Sequence, residues 1–259
     1  MTQPAKARTG RNSTTDRTLE ILALFTDTRL SISIRDLTDE LGISRSSAYR
    51  YLQSLIREQF LESAPDGSFQ LGMRVLDLAR LARVGYGLSA LAVPEMRSLA
   101  SEHRQTVILT SLIGRSVVCI EREEWHGQFI RLSYEPGLEL PVNAGASALV
   151  LLAWKPQAEV ERLLDRPLNK FTTNTLTEVP QILERLASIR EEGQAISYAE
   201  VDPAALGIAV PILGPDDSVV AALSIVSLET RVSADQVTRA LDGLHHAAGR
   251  ISQRLRRAA

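Results

Sequence analysis

The stretch from Asp36 to Phe60 constrains the fold of this 259-residue chain more than any other. Its apolar residues recur at spacings that two short helices, separated by a three-residue break, would bury together. These residues are Leu37, Leu41, Ile43, Ala48, Leu52, Leu55 and Ile56. Gly42 stands where the first helix needs a left-handed residue after its last turn, and Ser44 can cap the second helix. The segment therefore predicts a helix-turn-helix.

The second helix of this motif is expected to present a polar face to solvent. That face consists of Arg45, Ser46, Ser47, Tyr49, Arg50 and Gln53. Guanidinium, hydroxyl and amide groups hydrogen-bond phosphates and base edges, and a helix fits the major groove of DNA. The alternative is an αα-hairpin with a solvated face, because Arg and Ser are ordinary surface residues. The hairpin alone leaves both interpretations open.

The segments on either side of the hairpin favour DNA binding. Before it, the pattern from Asp16 predicts a helix whose apolar side carries Leu19, Leu22, Ala23 and Phe25. After it, two short alternating runs flank Asp66 and Gly67, a strong β-hairpin turn signal, so a wing follows the helices directly. We expect the wing to pack through Phe60, Leu61, Phe69 and Leu71, and residues near Ser68 to contact phosphates. Three helices and a wing in this order indicate a DNA-binding domain over residues 16–72.

The first fifteen residues are polar and lack apolar periodicity, which predicts a disordered tail. Lys6, Arg8 and Arg11 give this tail a positive charge that can follow a phosphate backbone, although a solvated tail is the default. The chain through Arg83 carries a net charge of +2 and the remainder −4. This asymmetry agrees with a nucleic-acid partner for the first part but is weak evidence on its own.

Residues 73–87 are predicted to form a linker helix whose apolar positions spread widely around its axis. Pairing with the same helix of a second copy would bury that surface; packing within one domain is the alternative. From residue 88 to 259 a helix broken near Pro94 is followed by short β-branched segments at 106–113, 116–121, 128–133 and 138–143. Helices, two more strands and a last helix from Ser233 to Arg257 complete the pattern. The predicted fold class is α/β (α+β), with an antiparallel sheet in the second domain.

Composition excludes several classes of protein. The chain is 44% hydrophobic and 23% charged, which is typical of a globular protein with packed cores. The polar N-terminus and the lack of a long apolar run favour a cytoplasmic protein without a membrane partner. The single cysteine, Cys119, excludes an intramolecular disulfide and a cysteine-based zinc cluster. Phosphate-binding, dinucleotide, metalloprotease and nucleophile-elbow motifs are missing as well, so no cofactor or metal is predicted and an enzyme lacks positive evidence.

Six segments stand in a characteristic order. In the first domain they are DRTLEILALF, SIRDLTDELGISRSSAYRYLQSLIREQFLE and DGSFQLGMRVLDLA; in the second they are LELPVNAGASALVLLA, REEGQAISYAEVDPAALGIAVPI and VVAALSIV. Together these segments resemble the IclR family of bacterial transcriptional regulators. The resemblance covers the chain from about Asp16 to Arg257. It implies a GAF-like effector-binding domain joined by the linker helix to the DNA-binding domain. It also implies homodimers or dimer-of-dimers tetramers that bind palindromic operators in double-stranded DNA under the control of a small organic acid.

The same resemblance places the effector pocket on eight residues. These are Asn143, Ala146, Ser147, Ser197, Ala205, Gly207, Ser224 and Val226. A helix start offers unpaired N–H groups and serine hydroxyls can donate or accept, which suits a carboxylate ligand. Gly207 stands where the family commonly has cysteine, Ser197 where an acid is common, and Asn143 where histidine is common. The smaller Gly207 leaves room for a bulkier, aromatic acid, whereas tight helix-to-sheet packing is the alternative role of these small residues.

Two other functions compete with this interpretation. One is a hydrolase or isomerase of a small acid, in which the hairpin is only a packing element; turnover without DNA would favour it. The other is a DNA-binding protein whose second domain only oligomerises, which an absence of small-acid binding would favour.

Overall fold

The structure is a computed structural model that describes residues 14–26, 28–85, 87–125, 127 and 134–258, with backbone only for residues 80 and 82–85. The basic residues predicted to follow the phosphate backbone, Lys6, Arg8 and Arg11, and the strand expected at 128–133 lie outside these ranges. The chain divides into two compact units, Met1–Gly85 and Tyr86–Ala259.

The described part of the first unit contains four helices and a small sheet. Its helices are α1 (Thr14–Leu22), α2 (Ile34–Leu41), α3 (Arg45–Arg57) and α4 (Met73–Gly85), and its strands are β1 (Ser31–Ile32), β2 (Leu61–Ser63) and β3 (Phe69–Leu71). The strands are antiparallel in the order β1-β3-β2. The hairpin β2–β3 is the predicted wing, whereas β1 was not predicted because two residues are too short to show an alternating pattern. The helix-turn-helix and its wing are confirmed.

The turn between α2 and α3 has the predicted chemistry. At the start of α2, the hydroxyl of Ser33 accepts from the backbone N–H of Asp36. The carboxylate of Asp36 accepts in turn from the backbone N–H of Ser33, so a capping box is present. These bonds hold the pKa of Asp36 below its ordinary value. Gly42 ends α2 in the left-handed region at φ 62°, and the hydroxyl of Ser44 accepts from the N–H of Ser47. The chain can therefore reverse within three residues without strain.

The core of the first unit joins α1, α2, α3 and the three strands. Its buried apolar residues are Ile21, Ile32, Leu37, Ala48, Tyr51, Leu52, Leu55, Leu61 and Phe69. Two expectations were wrong. Ile21, not Leu19, is the buried residue of α1, and Leu19 is 59% exposed because two residues of helix turn its side chain to the opposite side. Leu71, at the end of β3, stays 42% exposed instead of packing under the wing.

Replacing Gly42 with alanine is expected to destabilise the first unit by about 1 kcal/mol, because a Cβ is disfavoured in the left-handed region. No neighbour would clash, so the effect isolates backbone strain. Gly249 is the matched control, since it is an exposed helical glycine of the second unit with open space around it. There alanine should stabilise by about 0.5–1 kcal/mol. Hydrogen exchange of peptides from α3 and from the last helix measures the two changes in stability. Changes of the same sign and size for the two substitutions would contradict the prediction.

Helix α4 leaves a large apolar surface exposed within the first unit. Met73 is 68% exposed, Leu76 64% and Leu81 46%. The sequence predicted this wide apolar surface, and pairing with a second copy remains a prediction.

The second unit consists of a six-stranded sheet and five α-helices in the described part of the chain. The helices are α5 (Leu88–His103), α6 (Ala146–Ala153), α7 (Gln157–Leu164), α8 (Val179–Glu192) and α9 (Ala234–Ala258). The strands are β4 (Thr106–Ile113), β5 (Ser116–Glu123), β6 (Glu139–Leu140), β7 (Ala195–Tyr198), β8 (Ala205–Leu213) and β9 (Val219–Leu228). They are antiparallel in the order β6-β5-β4-β9-β8-β7. The predicted α/β (α+β) fold class is confirmed.

Helix α5 runs through Pro94 without a break, so the expected interruption was wrong. Pro94 and Ala90, the residue whose carbonyl loses its usual donor, are both exposed, and water can satisfy that carbonyl.

Alternating residues of the central strands divide the second unit into two cores. On β9, Leu223 and Ile225 face the core under α5 and α9, whereas Ala222 faces the core under α6 and α8. Cys119 on β5 is buried, at 0% exposure. Because side chains alternate along a strand, Ala205, Gly207 and Val226 all lie on the α6 side of the sheet. None of the helices that the structure describes within residues 14–258 is long and apolar enough to cross a bilayer.

Candidate functional site

The polar face of α3 carries the six residues predicted to contact DNA. Arg45, Ser46, Tyr49, Arg50 and Gln53 are exposed, and Ser47 is half-buried. The opposite face of α3 holds Ala48, Leu52 and Leu55 in the core, so packing fixes which side points outward. The predicted polar residues therefore share one exposed surface.

The two arginines of this surface differ from the other exposed arginines of the first unit. Neither Arg45 nor Arg50 forms an ion pair with any residue that the structure describes, whereas Arg57 at the end of α3 pairs with Glu58 at 3.1 Å. The guanidinium of Arg50 lies 5.3 Å from the centre of the Tyr51 ring, which orients it without neutralising its charge. Both charges are therefore available to phosphates or base edges.

The serines of α3 have partners within the turn. The hydroxyl of Ser44 lies 2.9 Å from that of Ser46 and donates to that of Ser47 at 3.0 Å. It also accepts from the backbone N–H of Ser47. Ser46 and Ser47 thus contribute to the cap of α3, so their replacement would change helix stability as well as the surface.

Ser68, predicted near phosphates, stabilises the wing. Its hydroxyl and its backbone N–H donate to one carboxylate oxygen of Asp66 at 2.6 and 2.9 Å. These bonds lower the pKa of Asp66, which therefore stays ionised beside the hydroxyl. A negative charge in this position disfavours a phosphate contact through the Ser68 side chain.

A cavity of about 740 Å³ lies on the α6 side of the sheet in the second unit. Its wall includes six of the eight residues predicted for the effector pocket: Ala146, Ser147, Ser197, Ala205, Gly207 and Val226. Strand register brings them together, because Ser197 is opposite Gly207 and Gly207 is opposite Val226. A volume in this range suits a small molecule, since ligand pockets span about 300–1,000 Å³.

Gly207 matters for the space in this cavity. A Cβ added there would lie 3.5 Å from the Cβ of Ala146 and 3.8 Å from that of Ser197, an ordinary contact distance. The backbone therefore does not require glycine at this position, and any larger side chain would occupy the cavity.

The other two predicted residues do not line the cavity. Ser224 is fully buried in the sheet, and its hydroxyl lies 2.6 Å from that of Ser147, joining β9 to the first turn of α6. The side-chain amide of Asn143 donates to the carbonyls of Asn169 and Leu176 at 3.2 and 2.8 Å. The structure therefore places Ser224 and Asn143 behind the wall, where they hold the segments that form it.

The start of α6 already has a carboxylate partner that sequence reasoning missed. The backbone N–H of Gly145 donates to Oε2 of Glu200 at 2.9 Å. Burial raises the pKa of Glu200 above its ordinary value, although this N–H, the Ser197 hydroxyl and Arg185 act in the opposite direction. The only signal in the sequence is an acidic residue three positions after Ser197.

The charged residues of the cavity wall that the structure describes are all acidic: Glu139, Glu200 and Asp202. Tyr134 and Phe171 supply aromatic surface, and Ile108 and Leu140 are among the apolar wall residues. Burial, with the charge of Asp202 second, raises the pKa of Tyr134, so its phenol stays protonated and can donate a hydrogen bond. The wall thus suits a largely apolar ligand with few polar groups.

A winged helix-turn-helix unit with an exposed basic helix face, joined to an α/β unit with a cavity, defines the class of helix-turn-helix transcriptional regulators. Comparison with family models agrees with this class. Residues 14–65 match the IclR helix-turn-helix domain, and residues 83–253 match the bacterial transcriptional regulator IclR C-terminal domain. The chain belongs to the IclR family of transcriptional regulators.

Individual relatives support the same conclusion over nearly the whole chain. The HTH-type transcriptional regulator XynR of Escherichia coli (strain K12) is 30% identical over 93% of this chain and 96% of its own length. An IclR-type regulator from Silicibacter sp. TM1040 is 27% identical with a TM-score of 0.86, covering 94% of this chain and 96% of that one. An IclR homolog from Microbacterium hydrocarbonoxydans, solved with 4-hydroxybenzoate, is 28% identical with a TM-score of 0.78. The match covers 95% of this chain and 100% of that one. The relatives are named as regulators, so this protein is a DNA-binding transcriptional regulator and the enzyme hypothesis is wrong.

Proposed function

We propose that this regulator binds a palindromic operator as a dimer or a dimer of dimers, and that a small organic acid in the cavity of the second unit controls the binding. Arg45, Tyr49, Arg50 and Gln53 contact base edges and phosphates from the exposed face of α3, with Ser46 and Ser47 at its capped start. The wing lies against the adjacent backbone. The single observation that carries the proposal is the cavity of about 740 Å³ against the first turn of α6.

The features of the cavity support a small, partly apolar acid. Backbone N–H groups at the start of α6 and the hydroxyls of Ser147 and Ser197 suit a carboxylate, while Ile108, Tyr134 and Phe171 suit an apolar or aromatic body. The homolog from Microbacterium hydrocarbonoxydans was solved with 4-hydroxybenzoate, an acid of this description. Gly207 adds room in the wall, which favours aromatic acids over those of two or three carbons.

Control requires the ligand to have different affinities for two states of the protein. A ligand that bound both states equally would leave operator binding unchanged, however tightly it bound. The exposed apolar surface of α4 is the proposed contact with a second copy, and a symmetric dimer would match two half-sites of a palindrome.

Selection of operator sequences from a random DNA pool, followed by calorimetry with a panel of small aliphatic and aromatic acids, tests this proposal. We expect the selected sites to be inverted repeats, and at least one acid to bind and to change the operator Kd. Replacing Gly207 with leucine should weaken acid binding, because the side chain would project into the cavity beside Ala146 and Ser197, while leaving operator affinity unchanged. Asymmetric sites would contradict the dimeric geometry. No binding across the acid panel would favour a second unit that only oligomerises.

A further inference from the structure

We propose that the carboxylate of Glu200 is an internal competitor for acidic ligands: it holds the start of α6, where a ligand carboxylate would have to bind. This inference rests on the proposed function of the cavity as an acid-binding site. It assigns to Glu200 a specificity role, because an acid must displace a carboxylate that the protein itself supplies.

The geometry makes Glu200 a built-in occupant of the helix start. Its Oε2 accepts from the backbone N–H of Gly145 at 2.9 Å, and its side chain forms part of the cavity wall. A helix start favours one negative charge because its first N–H groups lack partners within the helix. A second carboxylate therefore competes with Glu200 for the same donors.

The backbone at Glu200 is fixed, so competition must involve its side chain. The hydroxyl of Thr175 donates to the carbonyl of Glu200 at 2.6 Å, and that of Thr172 donates to the carbonyl of Ala199 at 2.6 Å. The backbone N–H of Ala199 also donates to the carbonyl of Ala205 at 2.8 Å. Rotation of the Glu200 side chain can release Gly145 while these backbone contacts stay in place.

The surrounding charges make a second carboxylate costly. Glu139 of β6 and Asp202 of the following loop line the same cavity, and Tyr134 faces it with a protonated phenol. The positive group that acts on Glu200 is Arg185 of α8, whose guanidinium donates to the carbonyl of Ile196 at 2.8 Å. Ser197 of β7 and Gly145 before α6 act on Glu200 through hydrogen bonds. An acid that enters while Glu200 is ionised therefore adds to an existing negative charge.

Protonation of Glu200 removes its share of the negative charge that an entering carboxylate meets. Its pKa is raised because burial penalises the carboxylate, so a fall in pH neutralises it before ordinary surface glutamates. The neutral carboxyl group of Glu200 no longer repels a ligand carboxylate and can donate a hydrogen bond to it. The affinity of the wild-type protein for an acid should therefore rise as pH falls through the pKa of Glu200.

Calorimetry with benzoate and its neutral analogue benzamide tests the inference on the full-length protein. At about pH 7.5, Glu200→Gln should bind benzoate about tenfold more tightly than the wild type, because the amide lacks the charge. Benzamide affinity should be the same in both proteins. As the pH is lowered stepwise from about 7.5 to about 5, a range in which benzoate stays largely ionised, the wild type should gain affinity and Glu200→Gln should not.

Asp202→Asn is the matched control, since it removes one charge from the same wall but leaves the carboxylate at α6 in place. It should change benzoate affinity far less than Glu200→Gln. Glu200→Ala serves as a second variant that vacates the helix start, and thermal unfolding confirms that each variant folds. Two outcomes would overturn the inference while leaving the acid-binding function intact. One is equal benzoate affinity in the wild type, Glu200→Gln and Glu200→Ala; the other is an equal effect of Glu200→Gln and Asp202→Asn on that affinity. Failure of all proteins to bind benzoate, benzamide or any acid of the panel described above would overturn both.

Discussion

Replacing Arg50 with alanine is expected to weaken operator binding by about 1–3 kcal/mol, or roughly 5- to 150-fold, and to relax selectivity at one base position. The expectation follows from its position on the exposed face of α3, without an ion pair to any described residue and with its guanidinium held over Tyr51. Arg45→Ala, at the first position of the same helix, should act similarly at another base. A shift assay at fixed salt, with operator variants changed one base pair at a time, measures both effects.

Arg57→Ala is the matched control for the arginine substitutions. Arg57 belongs to the same helix but lies about 18 Å further along it than Arg45, at the usual rise per residue, and its charge is paired with Glu58. Its loss should leave base selectivity unchanged. If Arg45→Ala and Arg50→Ala retained the affinity and selectivity of the wild type, α3 would not be the helix that contacts bases.

The second large effect concerns stability. Leu52→Ala is expected to destabilise the first unit by about 2–5 kcal/mol, because Leu52 is 1% exposed at the centre of its core and the cavity left behind cannot close fully. Operator affinity should fall with the folded fraction of this unit. Urea denaturation, combined with hydrogen exchange of peptides from α2 and α3, localises the change.

Leu19→Ala supplies the comparison within the same unit. Leu19 is 59% exposed, so the same chemical change should cost about 0.5 kcal/mol or less. Comparable losses for Leu19→Ala and Leu52→Ala would show that the packing of the first unit differs from the structure described.

The difference between Leu19 and Leu52 also shows what the sequence could predict. Short-range rules sufficed for the helix-turn-helix, because Gly42 and Ser44 each impose a local backbone conformation that no distant contact needs to supply. They did not settle which apolar residues of α1 are buried, because α1 offers Leu19 and Ile21 on nearly opposite sides and only the packed hairpin selects Ile21. Pro94 is a similar case, since exposure of Ala90 and Pro94 makes a missing hydrogen bond tolerable.

The residues of the cavity also differ in how far the sequence could predict their positions. The wall residues were predicted from the resemblance to the IclR family; the spacing of two between Ala205 and Gly207 on one strand adds only that they share a face. Glu200 was not predicted, because its role depends on a loop that brings it to Gly145, a contact separated by 55 positions in the chain.

Ser224 and Asn143 were expected in the wall and instead lie behind it. Ser224 shares a strand face with Val226 but is covered by Ser147 of α6, and the amide of Asn143 donates to the carbonyls of Asn169 and Leu176.

The hydrogen bond between Ser147 and Ser224 separates the attachment of α6 from the shaping of the cavity. It joins α6 to β9 through side chains separate from Gly207 and Ala205, which shape the space between these elements. Substitutions at Gly207 or Ala205 can therefore alter the size of the accepted molecule while the attachment of the helix to the sheet stays the same.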